Sequence, residues 1–201
     1  MNIRFPDLFR PFLGKLIWRK NPSSKVIYLT FDDGPVPEVT PLVLDILDKY
    51  NLKATFFCVG ENVKKYPDLY AEVIRRGHQT GNHTFNHLKG VSVSVGEYIS
   101  NVEKASELIK SQLFRPPYGR ITFRQKKVLQ LKFDIIMWDL ITHDYNRKLT
   151  PEAILKNIRR YSRNGSIVVF HDSKKAKENL LNVLTPAIEY WKNENFSFGV
   201  L

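Results

Sequence analysis

Two rhythms of apolar and polar positions alternate along the chain. Residues 26–31, Val-Ile-Tyr-Leu-Thr-Phe, form a β-branched and aromatic run of strand length, and residues 41–50 follow with Leu42, Ile46 and Leu47 at helical spacing. Thr40-Pro41 supplies a cap and a first-turn proline for that helix. The same pair of signals recurs: strand over 54–59, helix over 67–76 closed by Gly77, strand over 78–81, helix over 95–112, strand over 113–115, helix over 122–131 and strand over 134–138. Thr150-Pro151 opens a further helix that runs to Tyr161 and stops near Asn164-Gly165, 166–170 is an apolar β run, and a last helix over about 178–191 precedes a strand near 196–200. Strands alternating with helices predict βαβ units around a parallel sheet. About seven strands fit an α/β single domain, a compact, distorted (β/α)7-type barrel smaller than the roughly 250-residue eightfold form.

Composition narrows the class without changing that picture. In 201 residues, 43% are hydrophobic and 25% charged, ordinary values for a chain that builds a core. No repeat, low-complexity tract or long linker divides it, so residues 25–201 are expected to be one domain and 1–24 an N-terminal arm. The longest apolar runs, 55–59 and 167–170, fall far short of the roughly 18 residues of a membrane span. The single cysteine, Cys58, sits between Phe57 and Val59 and reads as a buried, inert thiol. The arm mixes Phe5, Phe12, Leu16, Ile17 and Trp18 with Arg4, Arg10, Lys15 and Arg19, but Pro6, Asp7, Arg10, Pro11 and Lys15 break any continuous signal-peptide core. It reads as an arm packed over the bottom of the domain, with a peripheral membrane contact as the alternative. Without a signal peptide the expected location is cytoplasmic, at most peripheral at the membrane. Thirty-one Lys+Arg against 20 Asp+Glu give a net charge of +11, which favours anionic surfaces or polymers and says nothing about fold.

A barrel of this kind gathers its chemistry at the C-terminal ends of the strands, and the polar clusters fall there. Asp32-Asp33 ends the first strand; adjacent carboxylates repel unless a cation, proton or arginine relieves them, and because strand neighbours point to opposite sides, one can ligate a metal while the other holds water or a proton. Taken alone, Asp32-Asp33-Gly34-Pro35 also reads as a turn. His83 and His87 are four apart, which on a helical turn brings them to one face at chelating distance. Two imidazoles and a carboxylate leave positions open for water, as a catalytic metal requires. Arg115-Pro116-Pro117-Tyr118-Gly119 is a rigid loop whose N–H is pre-set for an oxyanion, or a proline turn with an arginine in a surface ion pair. His171, after the apolar strand over 166–170, has the chemistry of a general acid.

In combination, Thr30-Phe31-Asp32-Asp33-Gly34-Pro35, His83-Thr84-Phe85-Asn86-His87, Arg115-Pro116-Pro117-Tyr118-Gly119 and Val169-Phe170-His171 stand in the order seen in polysaccharide deacetylases. The chain resembles the NodB-homology domain of carbohydrate esterase family 4 from about Lys25 onward. That resemblance implies a divalent metal on Asp33, His83 and His87, zinc first, with cobalt, manganese, nickel or iron as alternatives. It implies Asp32 as general base, Arg115 as the group that orients and balances it, the Tyr118 N–H as an oxyanion donor, and His171 as general acid tuned by Asp144. The family's Asp-x-x-Asp-Trp is Ile141-Thr142-His143-Asp144-Tyr145 here, so Tyr145 or Trp138 would supply an aromatic groove wall, with core packing the stronger reading for Trp138. His78 and His143 match no family role and read as structural or exposed.

The expected function is metal-dependent hydrolysis of the N-acetyl group of an amino-sugar glycan or glycolipid precursor. The alternatives are another amide or a sugar O-acetyl ester on the same site, or a non-catalytic sugar-binding protein. A nucleic-acid partner rests on charge alone and is not expected. Oligomeric state has no signature in the sequence.

Overall fold

The structure, a computed structural model, describes Arg4, residues 6–10 (the backbone alone at Phe9) and residues 13–201, so Phe5, Pro11 and Phe12 of the arm lie outside the described residues. Among the described residues eight strands, all parallel, form one curled sheet in the order β5-β4-β3-β2-β1-β7-β6, with β8 paired to β1. They are β1 (Val26–Asp32), β2 (Thr55–Cys58), β3 (Gln79–Asn82), β4 (Leu113–Phe114), β5 (Asp134–Ile135), β6 (Leu140–Ile141), β7 (Ile167–His171) and β8 (Ser197–Gly199). The helices between them are α1 (Thr40–Lys49), α2 (Gly60–Lys65), α3 (Pro67–Arg75), α4 (Val95–Ser106), α5 (Phe123–Leu129), α6 (Pro151–Tyr161) and α7 (Lys177–Asn193). This is the expected distorted barrel, left open between β5 and β6.

Residue parity in the central strands decides what faces where. Ile27, Leu29 and Phe31 of β1, Phe56 and Cys58 of β2 and Val168 and Phe170 of β7 join the buried layer shared with Val43, Leu47, Leu184 and Trp191 of the helices. The alternate residues turn to the barrel interior, where Phe57, Leu113, Ile136 and Ile167 pack with Tyr28. The same parity carries Thr30, Asp32 and His171 inward, and Asp32 lies in register with both Phe57 and His171. Cys58 is fully buried and its thiol is pushed well up by desolvation, so it is inert.

The arm runs from the end of β5 to the start of β7. Ile17 bridges Ile136 and Arg19 bridges Ser166, through hydrogen bonds from Ile17 N to Ile135 O at 2.9 Å and from Lys20 N to Gly165 O at 2.9 Å. Buried Asp139 accepts from Arg10 at 2.8 Å, Arg163 at 2.6 Å and Ser166 at 2.8 Å. Leu16, Ile17 and Trp18 are turned against the domain. No helix among the described residues is long and apolar enough to cross a membrane.

Three expectations are corrected. The helix expected over 95–112 ends at Ser106, because Ile109 turns into the core and the Ser111 hydroxyl bonds Thr80 O at 2.6 Å and accepts from Leu113 N, leading the chain into β4. The strand expected over 134–138 stops at Ile135, and two-residue β6 follows, its Leu140-Ile141 paired with Val168-Val169. Helix α2 is an addition: its first N–H groups, on Gly60 and Glu61, bond the carbonyls of Thr84 and Phe85, partners 24 residues away.

Candidate active site

The strand ends open into a groove of about 760 Å³ whose lining includes Asp32, Asp33, His83, His87 and His171. Asp33 leaves β1 with φ +82 and turns its carboxylate away from the strand direction, toward the histidine loop. Gly34 is required next: a Cβ there would stand 2.0 Å from Asp172 Oδ2. Asp172, just after the neighbouring strand β7, holds this turn, accepting from Gly34 N at 3.1 Å and from the Thr40 hydroxyl at 2.6 Å, while Thr40 in turn accepts from Val36 N at 2.7 Å.

His83 and His87 converge, but not on a helical turn. Thr84 and His87 take φ +65 and +58, and the loop is fixed by side chains: Asn82 Oδ1 accepts from Thr84 N, Thr84 Oγ1 from Leu88 N and Asn101 Oδ1 from Phe85 N. The imidazole centroids end 5.1 Å apart. Asp33 Oδ1 stands 3.2 Å from His87 Nε2 and 3.8 Å from His83 Nε2, and one ligand atom from each of the three residues lies within 4.8 Å of the others.

Two observations test whether a cation fits. Asp33 Oδ1 is buried and has no hydrogen bond, an acceptor left without a donor. His83 Nδ1 is 2.7 Å from the Arg115 carbonyl, which only accepts, so Nδ1 carries the proton and Nε2 presents a lone pair to the group. Burial lowers the His83 pKa to about 4, so the ring is neutral at physiological pH. Burial alone would raise Asp33, but the neighbouring imidazoles outweigh it and hold the carboxyl well below the usual range. A deprotonated carboxylate and two imidazoles form a donor set for a divalent metal with positions left open.

Asp32 is 4% exposed beside this group. Arg115 is no surface arginine: it is fully buried and its Nη1 donates to Asp32 Oδ1 at 2.6 Å and to Thr30 Oγ1 at 2.8 Å. The guanidinium also donates to the carbonyls of Ile136 and Met137 and lies 4.0 Å from the Phe57 ring centroid. His171 Nδ1 meets Asp144 Oδ1 at 2.7 Å, and Asp144 Oδ2 accepts from the His171 backbone N–H at 2.8 Å. Burial would lower the His171 pKa, yet Asp144, with Asp33 and Asp32 behind it, raises it to about 9.

The walls are aromatic. Tyr118 adopts φ +60 in a turn whose hydrogen bonds come from Gly119 N and Arg120 N, and its ring, 61% exposed, stands edge-on to His87. Trp138 is half-buried and lines the groove, which corrects its reading as core: a Cβ on Gly119 would touch its Cη2 at 2.4 Å. Tyr145 stands nearly perpendicular to His171 with centroids 4.8 Å apart, and its hydroxyl meets His143 Nδ1 at 2.8 Å. His143 therefore lies in the groove wall, whereas His78 is structural, accepting from Ala54 N at 3.2 Å. Sequence reasoning gave Asp172 no role, although it stands beside His171 in the chain; its partners are more than 130 residues away.

The polysaccharide deacetylase family model matches residues 19–134. A Bacillus cereus peptidoglycan-N-acetylglucosamine deacetylase is 30% identical over 193 residues, 92% of this chain and 90% of its own. An Azorhizobium caulinodans chitooligosaccharide deacetylase is 36% identical over 161 residues, 76% of this chain and 75% of its own. Other relatives are longer: the chain spans 56% of a second Bacillus cereus peptidoglycan-N-acetylglucosamine deacetylase and 37% of the Bacillus subtilis peptidoglycan-N-acetylmuramic acid deacetylase. Among solved structures, a peptidoglycan N-acetylglucosamine deacetylase in complex with 4-naphthalen-1-yl-N-oxidanyl-benzamide superposes with TM-score 0.91 at 29% identity, covering 98% of this chain and 95% of that one. A Bacillus anthracis pseudoenzyme of carbohydrate esterase family 4 superposes with TM-score 0.83 at 25% identity, covering 92% of this chain and 66% of that one.

Proposed function

Because the chain belongs to the polysaccharide deacetylase family, we propose that its groove hydrolyses the N-acetyl group of an amino-sugar glycan, releasing acetate and a free amine. The reading is carried by one observation: a base paired with arginine and an acid paired with aspartate line the same groove as the Asp33, His83 and His87 group. The fold alone would not carry it, since a pseudoenzyme shares the fold.

Asp33, His83 and His87 would hold a divalent ion, zinc first by donor type with cobalt, manganese, nickel or iron also suited, and the ion would supply Lewis acidity toward water and the acetyl carbonyl. Asp32 takes the proton of the attacking water. Arg115 occupies its Oδ1, and no other hydrogen bond among the described residues reaches the carboxylate, so Oδ2 is left to accept. As the water oxygen joins the carbonyl carbon, the Tyr118 N–H, kept out of its own turn's hydrogen bonds, is placed to donate to the developing oxyanion. His171, protonated at neutral pH, then donates from Nε2 to the departing nitrogen as the C–N bond breaks; Asp144 fixes the ring by its Nδ1. Tyr118, Trp138 and Tyr145 line the groove in which the sugar would lie.

Acetate release from chitin oligomers and peptidoglycan fragments, measured on protein stripped with chelator and reloaded with each metal, tests the reading. Asp32→Asn is expected to keep the metal and lose turnover, and His83→Ala to lose both. Normal acetate release by Asp32→Asn would remove the base and the mechanism with it.

A further inference from the structure

Beside the catalytic groove lies a second cleft of about 340 Å³, lined by Arg147, Lys174, Lys175 and Lys177 with a single carboxylate, Glu178. Lys175 lines both spaces, and its Nζ is 5.5 Å from the centroid of the Tyr145 ring that packs against His171. The second cleft is therefore reached from the general acid across one aromatic ring and one ammonium.

Three of the four cations in this cleft have no direct carboxylate partner among the described residues. Lys174 is paired with Glu38 at 2.5 Å, but among the described residues no carboxylate lies within ion-pair distance of Arg147, Lys175 or Lys177. Glu178 is thus the one carboxylate in the cleft lining, and Glu38, bound directly by Lys174, acts on Lys177 only from a distance. The groove next to them does not compensate: Asp32 is balanced by Arg115, Asp33 is turned to the imidazoles, and Arg120 adds a further positive charge to the lining.

The arrangement is built rather than incidental. Asn179, 9% exposed on α7, donates to the carbonyls of Asp144, Asn146 and Leu149 at 3.1, 3.4 and 3.3 Å, tying the loop that carries Arg147 to the helix that begins at Lys177. Ser173 O accepts from Ala176 N and Lys177 N, which fixes the approach of Lys175 and Lys177. One of these bonds, from Asn179 to the Asp144 carbonyl, also anchors the residue whose carboxylate holds His171.

We infer that this cleft receives an anionic group of the substrate, a carboxylate or a phosphate borne on the sugar chain near the acetylated residue. The inference rests on the deacetylase reading and deepens it: the glycan is acidic, and its charge is read one step from the scissile amide. Solvent-exposed cations of this kind act on capture more than on chemistry, so they raise kcat/KM through KM and association, and their effect fades with salt.

The test compares three oligomers of equal length: a neutral N-acetylglucosamine oligomer, one with alternating 3-O-lactyl carboxylates, and one with a reducing-end phosphate. Acetate release is measured in low and high salt for the wild type and for Arg147→Gln/Lys177→Gln. Two exposed charge pairs are worth about a tenfold preference in kcat/KM for an acidic oligomer at low salt. That preference should shrink toward the neutral value in high salt and in the double variant, with kcat little altered; which acidic oligomer shows it identifies the anion. Equal kcat/KM for acidic and neutral oligomers, or a preference that survives the double variant, would overturn the inference and leave the deacetylase reading standing. No acetate from any of the three would overturn both.

Discussion

Asp172 gives the sharpest test of how this site is held. It touches neither the imidazoles nor Asp32 through its side chain, yet it closes the turn that aims Asp33. Asp172→Ala strands two buried donors, the Gly34 N–H and the Thr40 hydroxyl, and a buried unsatisfied donor costs about 1–3 kcal/mol. The loss of stability should therefore be roughly 2–5 kcal/mol, and the freed turn should let Asp33 leave the φ +82 conformation that the hydrogen bonds maintain. Partners that orient a ligand typically change metal affinity by about 10–100-fold. Asp172→Asn keeps an acceptor for Gly34 N and should retain most of that affinity. The assay is metal titration by calorimetry on variants with native far-UV circular dichroism, with acetate release alongside. A folded Asp172→Ala protein that binds metal as tightly as the wild type would show that Asp172 serves only the fold.

Two further outcomes concern pH. With His171 held at about 9 chiefly by Asp144, kcat/KM should fall on the alkaline side only near that pH, and Asp144→Asn should move this limb to lower pH, because only the more distant Asp33 and Asp32 then oppose burial; an unmoved limb in pH–rate profiles would exclude His171 as the acid. His78 is buried with its pKa lowered to about 4, chiefly by desolvation, so the unfolded chain takes up a proton below about 6.5 that the folded chain refuses until about 4. Its contribution is complete above pH 6.5 and is lost as pH falls toward 4, by roughly 1–2 kcal/mol between pH 7 and 5 after allowance for solvent screening. In urea unfolding at those two pH values, His78→Gln should lose that much less stability than the wild type; equal losses would refute the assignment.

How much of this was legible in the chain depends on the distance over which each element is stabilised. β1, β2 and β7 carry their own apolar pattern, and α1, α3 and α6 their own prolines at the first turn, so each could be placed from local residues. α2 could not, because only Gly60 and Val63 of its six residues are buried and its first bonds run to the histidine loop. β6 has two residues and no period to detect. His83 and His87 were paired correctly for the wrong local reason: a spacing of four suggests a helix, whereas Asn82, Thr84 and Asn101 supply backbone bonds that support two positive φ angles instead. Trp138 follows Ile135, Ile136 and Met137 and so resembles core, but the short β5 ends before it and turns the indole into the groove.

What the sequence could not express is the partner of each carboxylate, and the partners separate four chemically identical groups. Asp32, Asp144 and Asp172 are at most 4% exposed, so solvent does little to set their behaviour and the nearest protein group does most. Asp32 meets a guanidinium that never gives up its proton, which occupies one oxygen and leaves the other to accept. Asp144 meets an imidazole that does titrate, so the same attraction that stabilises the pair stores a proton on His171. Asp33 meets imidazoles and retains a buried oxygen with no donor, the condition that favours a cation. Asp172 meets only neutral donors and is left with a mechanical task. Exchanging partners, not carboxylates, would therefore exchange roles, and Arg115→Met should impair Asp32 as base while leaving its position in β1 intact.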